Sequence, residues 1–192
     1  MIDHAEGQAR AVIERLANPD NPVGVEVGVY RGEMSAHLLR MCPRLTLHMV
    51  DNWIGANDQP APYRATRDPR ARASLAAQMA AKSQAEKAVG FAGPRAVIHH
   101  AASLDAVKAF ADVSLDFVFI DADHSYEGVS ADIEAWRHKV KPGGLLSGHD
   151  YVYPGERSPR GWPEVVRAVD EAVKRHTWTM NKGEESTWHI RL

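Results

Sequence analysis

The sequence predicts one α/β domain built on an open, mostly parallel sheet with helices on both faces. Three observations predict it. Stretches rich in β-branched residues alternate five times with stretches of helical spacing along the 192 residues. The first such junction, Pro22 to Gly32, places Gly28 and Gly32 where a strand turns into a helix. The chain then closes on Trp178 to Met180 and Trp188 to Leu192, which read as an antiparallel hairpin and bring the strand count to seven.

A chain of this length buries enough apolar surface to fold without metal or disulfide staples, so a single domain over residues 1–192 is expected. Lys and Arg number 23 against 25 Asp and Glu, a formal net charge of −2. So balanced a chain offers no broad field to nucleic acid or to an anionic membrane, and a small-molecule substrate fits it better. Cys42 is the single cysteine and forms no internal disulfide, and the N-terminus carries charges where a secretory leader needs an apolar run. The cytoplasm is the expected compartment. No apolar stretch is long enough for a membrane span.

Taken in order, Ala5, Ala9, Val12, Ile13 and Leu16 share one face of a helix expected from Asp3 to Ala17, ended by Asn18-Pro19. Val23 to Val29 is the first strand. Glu33 to Met41 is the next helix, and Leu45 to Val50 is a strand ending in Asp51. Asn52 to Pro69 is polar and without period, and reads as a lid near the substrate. A helix is expected over Arg70 to Val89, with Leu75, Met79 and Val89 turned inward. Arg95 to His100 is a strand, and Ser103 is placed to cap a helix from Leu104 to Ala111. Leu115 to Asp121 is continuously apolar up to its end, as a strand buried on both faces should be. A helix follows over Ser125 to Val140. Lys141-Pro142-Gly143-Gly144 then reads as a sharp turn into the strand Leu145 to Gly148. Gly155 to Gly161 is a second lid candidate, and Pro163 opens the last helix with Val165, Val166, Val169 and Val173 as its buried stripe.

The candidate functional residues fall where such sheets bind ligands, at the C-terminal ends of the strands. The spacing Glu26-x-Gly28-x-x-x-Gly32 differs from the G-x-G-x-x-G of dinucleotide folds, and a carboxylate before the turn suits a ligand with an ammonium group. Asp51 can accept bonds from both hydroxyls of a ribose, or can serve as a turn or capping residue. Asp121-Ala122-Asp123-His124-Ser125-Tyr126 and His149-Asp150-Tyr151 gather groups able to bind a proton or a metal.

These stretches carry a resemblance. The glycine turn resembles motif I of the class I S-adenosylmethionine (SAM) methyltransferases. The segments Asp121 to Gly128, Lys141 to Gly144 and His149-Asp150-Tyr151 look like those of small bacterial O-methyltransferases related to catechol, caffeoyl-CoA and macrolide-sugar enzymes, a group that takes in cephalosporin-hydroxylase-like proteins. The resemblance spans about Val23 to Val173. It implies a Rossmann-like methyltransferase fold whose last strand is antiparallel, SAM as cofactor, and a small hydroxylated acceptor. By carry-over Glu26, Gly28, Gly32, Asp51, Ala102, Ser103 and Asp121 are cofactor contacts, and His124 is the general base, unless it serves to hold its loop. Asp121, His149 and Asp150 become the ligands of a divalent metal, Mg2+ or Mn2+. The sequence departs from the pattern at His149, where relatives carry an acid, and an imidazole moves preference toward softer metals or toward none. The alternatives on the same fold are a metal-dependent hydroxylase-like enzyme and a non-catalytic SAM-binding protein. A homodimer is expected from the relatives.

Overall fold

Val23–Val27, three valines alternating with Gly24 and Glu26, lies inside the sheet, with strands paired to it on both sides. The computed structural model describes residues 4–17, 20–156 and 161–192. Its seven strands are β1 (Val23–Val27), β2 (Thr46–Asp51), β3 (Ala96–His100), β4 (Leu115–Ile120), β5 (Val140–Gly148), β6 (Met180–Lys182) and β7 (Trp188–Arg191). They lie in the order β3-β2-β1-β4-β5-β7-β6. The first five are parallel, while β7 runs antiparallel to both β5 and β6. The expected architecture is therefore the one observed.

Seven helices cover the sheet: α1 (His4–Ile13), α2 (Glu33–Met41), α3 (Ala61–Ala65), α4 (Leu75–Val89), α5 (Ser103–Ala106), α6 (Tyr126–Trp136) and α7 (Pro163–His176). Two cores result. Leu47, Met49, Phe117 and Phe119 point to the α1, α2 and α4 side, and Val25, Val27, Val118, Ile120 and Leu146 point to the α6 and α7 side. That alternation follows from the two-residue period of a strand. Among the described residues no helix is long and apolar enough to cross a membrane.

Several local expectations are corrected. The first helix ends at Ile13 rather than Ala17, and its expected stop, Asn18-Pro19, lies outside the described residues. The helix expected from Arg70 starts at Leu75, because the Ser74 side chain accepts from Ala77 N–H and fixes the N-terminus there. Its inward face is Gln78, Ala81, Ala85 and Val89, whereas Leu75 and Met79 are 56% and 42% exposed. Small residues face inward because α4 packs close to the turn at Gly32, where an added Cβ would lie 2.9 Å from Ala85 Cα. Ser103 is the first residue of α5 rather than its cap; Ala102 holds that position and makes no side-chain bond. The helix expected to end at Val140 gives way at Arg137, and Lys141 to Gly144 lies within β5 rather than before it.

Candidate active site

Each of the five parallel strands ends on, or is followed at once by, a residue that lines one cavity of about 520 Å3: Val27, Asp51, Ala101, Asp121 and His149. Backbone bonds from Gly28 to Val50, from Asp121 to Val27 and from His149 to Ile120 align the strand ends, so that chemically active side chains from distant sequence positions meet. Glu26, Gly28, Asp51, Ser103, Asp121, His149 and Asp150 line it, as do Tyr30, Arg70, Asp132 and Trp162. Gly32, Ala102 and His124 lie off its wall.

At one end the β1 turn is built for close approach. Gly28 has φ +92, and a Cβ there would collide with the Asp121 carbonyl. The Asp51 carboxylate braces this turn: Oδ2 accepts from the N–H groups of Val29 (2.9 Å) and Tyr30 (2.8 Å), and Oδ1 accepts from Trp53 N–H (2.9 Å). Asp51 thus acts as a turn residue while still facing the cavity. Glu26 is 3% exposed and accepts from the Ser35 hydroxyl. Burial pushes its carboxyl up to about 8 against the Ser35 bond, and the charges of Asp121 and Asp51 add to the rise. Among the described residues no cation lies beside this buried acid, which fits an ammonium group arriving with a ligand.

At the other end the carboxylates already have cations. His124 is 4% exposed, with Nδ1 3.0 Å from Asp68 and Nε2 3.1 Å from both Asp121 and Asp150. Burial alone would lower its pKa, but the bonds to Asp121 and Asp68 and the charges of Asp150 and Asp121 raise it to about 10. This ring is an imidazolium locked between acids, with Trp162 packed on it at 4.7 Å. The sequence reading made it a ready proton acceptor; the fold instead encloses it. His149 Nδ1 lies 3.3 Å from Asp150 and 3.6 Å from Asp121, and its Nε2 is buried without a partner. Burial would raise the Asp121 carboxyl, but the charge of His149 and bonds from His124 and His149 hold it well below the usual carboxylate range.

The donor atoms of Asp121, His124 and Asp150 lie within 4.8 Å of one another, close enough for one cation. Of the expected metal trio, Asp121 and Asp150 belong to this cluster and His149 abuts it. The donor set fits a divalent ion on charge as well: two imidazolium protons now balance the acids, and a single 2+ ion supplies the same charge while freeing the rings to act as ligands.

Asp68 was missed from sequence because it lies in the segment expected to have no secondary structure. That segment in fact contains α3 and a 3-10 turn over Pro69–Arg72, which Asp68 caps by accepting from Arg70 N–H. The Asp-Pro pair was the available signal, an N-cap followed by proline at the first helical position. Asp123 accepts from Ser125 N–H and holds its loop, and Tyr126 donates to Glu171. Tyr151 turns its hydroxyl to Asp170 and does not line the cavity, and Arg160 lies outside the described residues.

The methyltransferase domain family matches residues 25–151, two thirds of the chain, from the middle of β1 to Tyr151. The chain belongs to this family. It is a SAM-dependent methyltransferase by family and by sheet order. Among solved structures it is similar to the O-methyltransferase NovP, with 17% identity over 98% of this chain and 79% of that one, TM-score 0.69. A putative caffeoyl-CoA O-methyltransferase from Staphylococcus aureus shares 13% identity over 100% of this chain and 85% of its own, TM-score 0.65. An O-methyltransferase from Bacillus cereus, solved in complex with SAH, shares 15% over 98% and 80%, TM-score 0.59. At these identities the likeness concerns the fold of the methyltransferase. A search of curated proteins gives no match.

Proposed function

We propose that the methyltransferase moves the methyl group of SAM to an oxygen of a small hydroxylated acceptor. One observation carries this reading: a single cavity joins an amino-acid-binding end at Glu26 to a carboxylate–imidazole cluster at Asp121, His149 and Asp150. Glu26 meets the ammonium group of SAM, Gly28 gives it room, and Asp51 faces its ribose while bracing the turn. The sulfonium then lies toward Asp121, where anionic side chains stabilise the cation.

The reaction forms an O–CH3 bond as the S–CH3 bond breaks, leaving SAH, and the acceptor hydroxyl gives its proton to solvent. A divalent ion held by Asp121, Asp150 and the two imidazoles would lower the pKa of the acceptor hydroxyl. His124 orients Asp121 and Asp150. His149, Trp162 and Arg70 line the same cavity and bound the space left to the acceptor. Packing the acceptor oxygen against the methyl group supplies the proximity on which such a displacement depends.

The test is calorimetric titration of metal-stripped protein with SAH, followed by release of SAH from SAM in the presence of catechols and vicinal diols with Mg2+ or Mn2+. Micromolar SAH binding and metal-stimulated turnover support the reading. Turnover that requires Fe2+ and O2 but not SAM would replace it with the hydroxylase-like reading. SAH binding with no turnover on any acceptor would favour a SAM-binding protein without catalysis.

A further inference from the structure

The segment between β2 and α4 carries Arg67 and Arg70, and the turn after β1 carries Arg31. All three guanidiniums lie on aromatic rings of the cavity wall. Arg70 itself lines the cavity and lies over Tyr30 at 4.8 Å, Arg31 lies over the same ring at 4.9 Å, and Arg67 lies over Trp162 at 4.6 Å. A guanidinium stacked in this way uses its face, so the N–H donors in its plane stay available.

The protein itself gives those donors little to bind. Among the described residues Arg31 and Arg67 have no ion pair, and Arg70 has one, with Asp68 at 3.8 Å. Asp68 is already committed: its carboxylate accepts from the Tyr63 hydroxyl at 2.7 Å and from Arg70 N–H at 2.8 Å, and lies 3.0 Å from His124 Nδ1. In the cluster as a whole Asp68, Asp121 and Asp150 are matched by Arg70 and the two imidazolium rings, which leaves Arg67 and Arg31 without an acid.

The stacking also says which end of the cavity these cations serve. Trp162, under Arg67, packs at 4.7 Å on His124, and His124 touches Asp121 and Asp150. An acceptor whose oxygen faces Asp121 and His149 therefore has Arg67 and Arg70 within the same part of the site. A neutral acceptor leaves their donors unused. A carboxylate is planar, offers two oxygens and matches the fork of a guanidinium. We infer that the methyl acceptor is a hydroxy acid, its carboxylate held by Arg67 and Arg70 while its hydroxyl reaches Asp121 and His149. Arg31, behind Tyr30, adds to the positive field there. The inference rests on the methyltransferase reading above and names the substrate class for that site.

The experiment is calorimetric titration of the SAH-loaded full chain with a vicinal dihydroxybenzoate and an aliphatic dihydroxy acid, each beside its neutral amide. The amide keeps the hydroxyls and the shape and removes only the charge. Wild type should bind at least one acid roughly tenfold to a hundredfold more tightly than its amide, the range for charge-assisted hydrogen bonds. Added salt should weaken the acid and not the amide. Arg67→Gln and Arg70→Gln should each lower acid affinity by roughly tenfold, toward that of the amide. Arg70→Lys, which keeps the charge and loses the fork, should keep part of the preference. Thermal denaturation reports whether each variant is folded, and Arg67, exposed and without an ion pair, is the substitution the fold should tolerate best. If no acid is preferred to its amide, or no acid binds, the assignment falls while the methyltransferase reading stands on SAH binding. A loss of SAH affinity in the variants as large as the loss of acid affinity would place the guanidiniums on the cofactor and overturn the assignment as well. If wild type does not bind SAH, the methyltransferase reading falls and this assignment with it.

Discussion

The two ends of the cavity hold the same functional group in opposite states. Glu26 is a buried acid whose near contacts are a hydroxyl and two further acids, and its carboxyl is pushed up to about 8. Asp121 is less enclosed, its side chain 24% exposed, and it faces two imidazoles, which hold it well below the usual range. Burial acts the same way on both, so the difference lies in the countercharge. One end lacks a cation and suits a ligand that brings one; the other contains its own and can exchange protons for a metal.

The strongest way to break this comparison is Asp121→Asn. It removes the acid shared by both histidines and leaves imidazolium charge without its nearest partner, so a loss of about 3–5 kcal/mol in urea denaturation is expected at neutral pH. A loss below about 1 kcal/mol would mean that the cluster is not held by charge. Next is Gly28→Ala. A Cβ at φ +92 collides with the Asp121 carbonyl, and we expect about 2–3 kcal/mol of destabilisation together with loss of SAH binding. Unchanged SAH affinity in a folded variant would refute the close approach at this turn.

Glu26→Gln sharpens the contrast through pH. With a folded pKa of about 8 above the ordinary value of 4.5, the folded protein binds the extra proton. Its stability contribution is fully present below 4.5 and is lost as pH rises through 8. Wild type and Glu26→Gln should therefore be alike near pH 4.5, and the variant should be the more stable near pH 8, by about 1–3 kcal/mol. Denaturation midpoints at the two pH values check it, and a variant less stable at the higher pH would show that Glu26 is ionised in the folded protein.

The smallest effect belongs to Glu134. Burial would raise its pKa, but bonds from His176, Arg137 and Arg175 bring it down to about 2, so it too is an acid among cations. It is 34% exposed, and solvent screens it. Its contribution is present above the ordinary value of 4.5 and fades as pH falls toward 2. Glu134→Gln should cost about 0.5–1 kcal/mol at neutral pH in thermal denaturation. A cost matching that of Asp121→Asn would show that burial is not what separates the two clusters.

Much of this molecule was legible in its residues. Strand–helix alternation is encoded by side-chain periods of two and 3.6, which are short-range, so the element order and the closing hairpin could be read directly. Turn chemistry is equally local: Gly28 stands at the turn where the sequence suggests, and α6 begins one residue after the expected Ser125, which caps it. The motif around Asp121 and His149 was visible for the same reason, and so was the family.

What the tertiary structure alone decided is which groups meet and what charge they carry. Asp68 reaches His124 from 56 residues away, and Ser103 reaches Asp132 from 29. No local pattern records either pairing. His124 could be named from its motif, but its enclosure by three acids depends on Asp68 and on Asp150, just past the end of β5. The inward face of α4 was misread because a helix's large residues ordinarily turn inward, whereas here the close approach of the Gly32 turn puts Ala85 on that face and leaves Leu75 and Met79 exposed. Sequence fixes which ionisable groups exist and which strand ends they stand on. Their proton states arise from low-dielectric contacts among distant residues, and those exist only once the chain has folded.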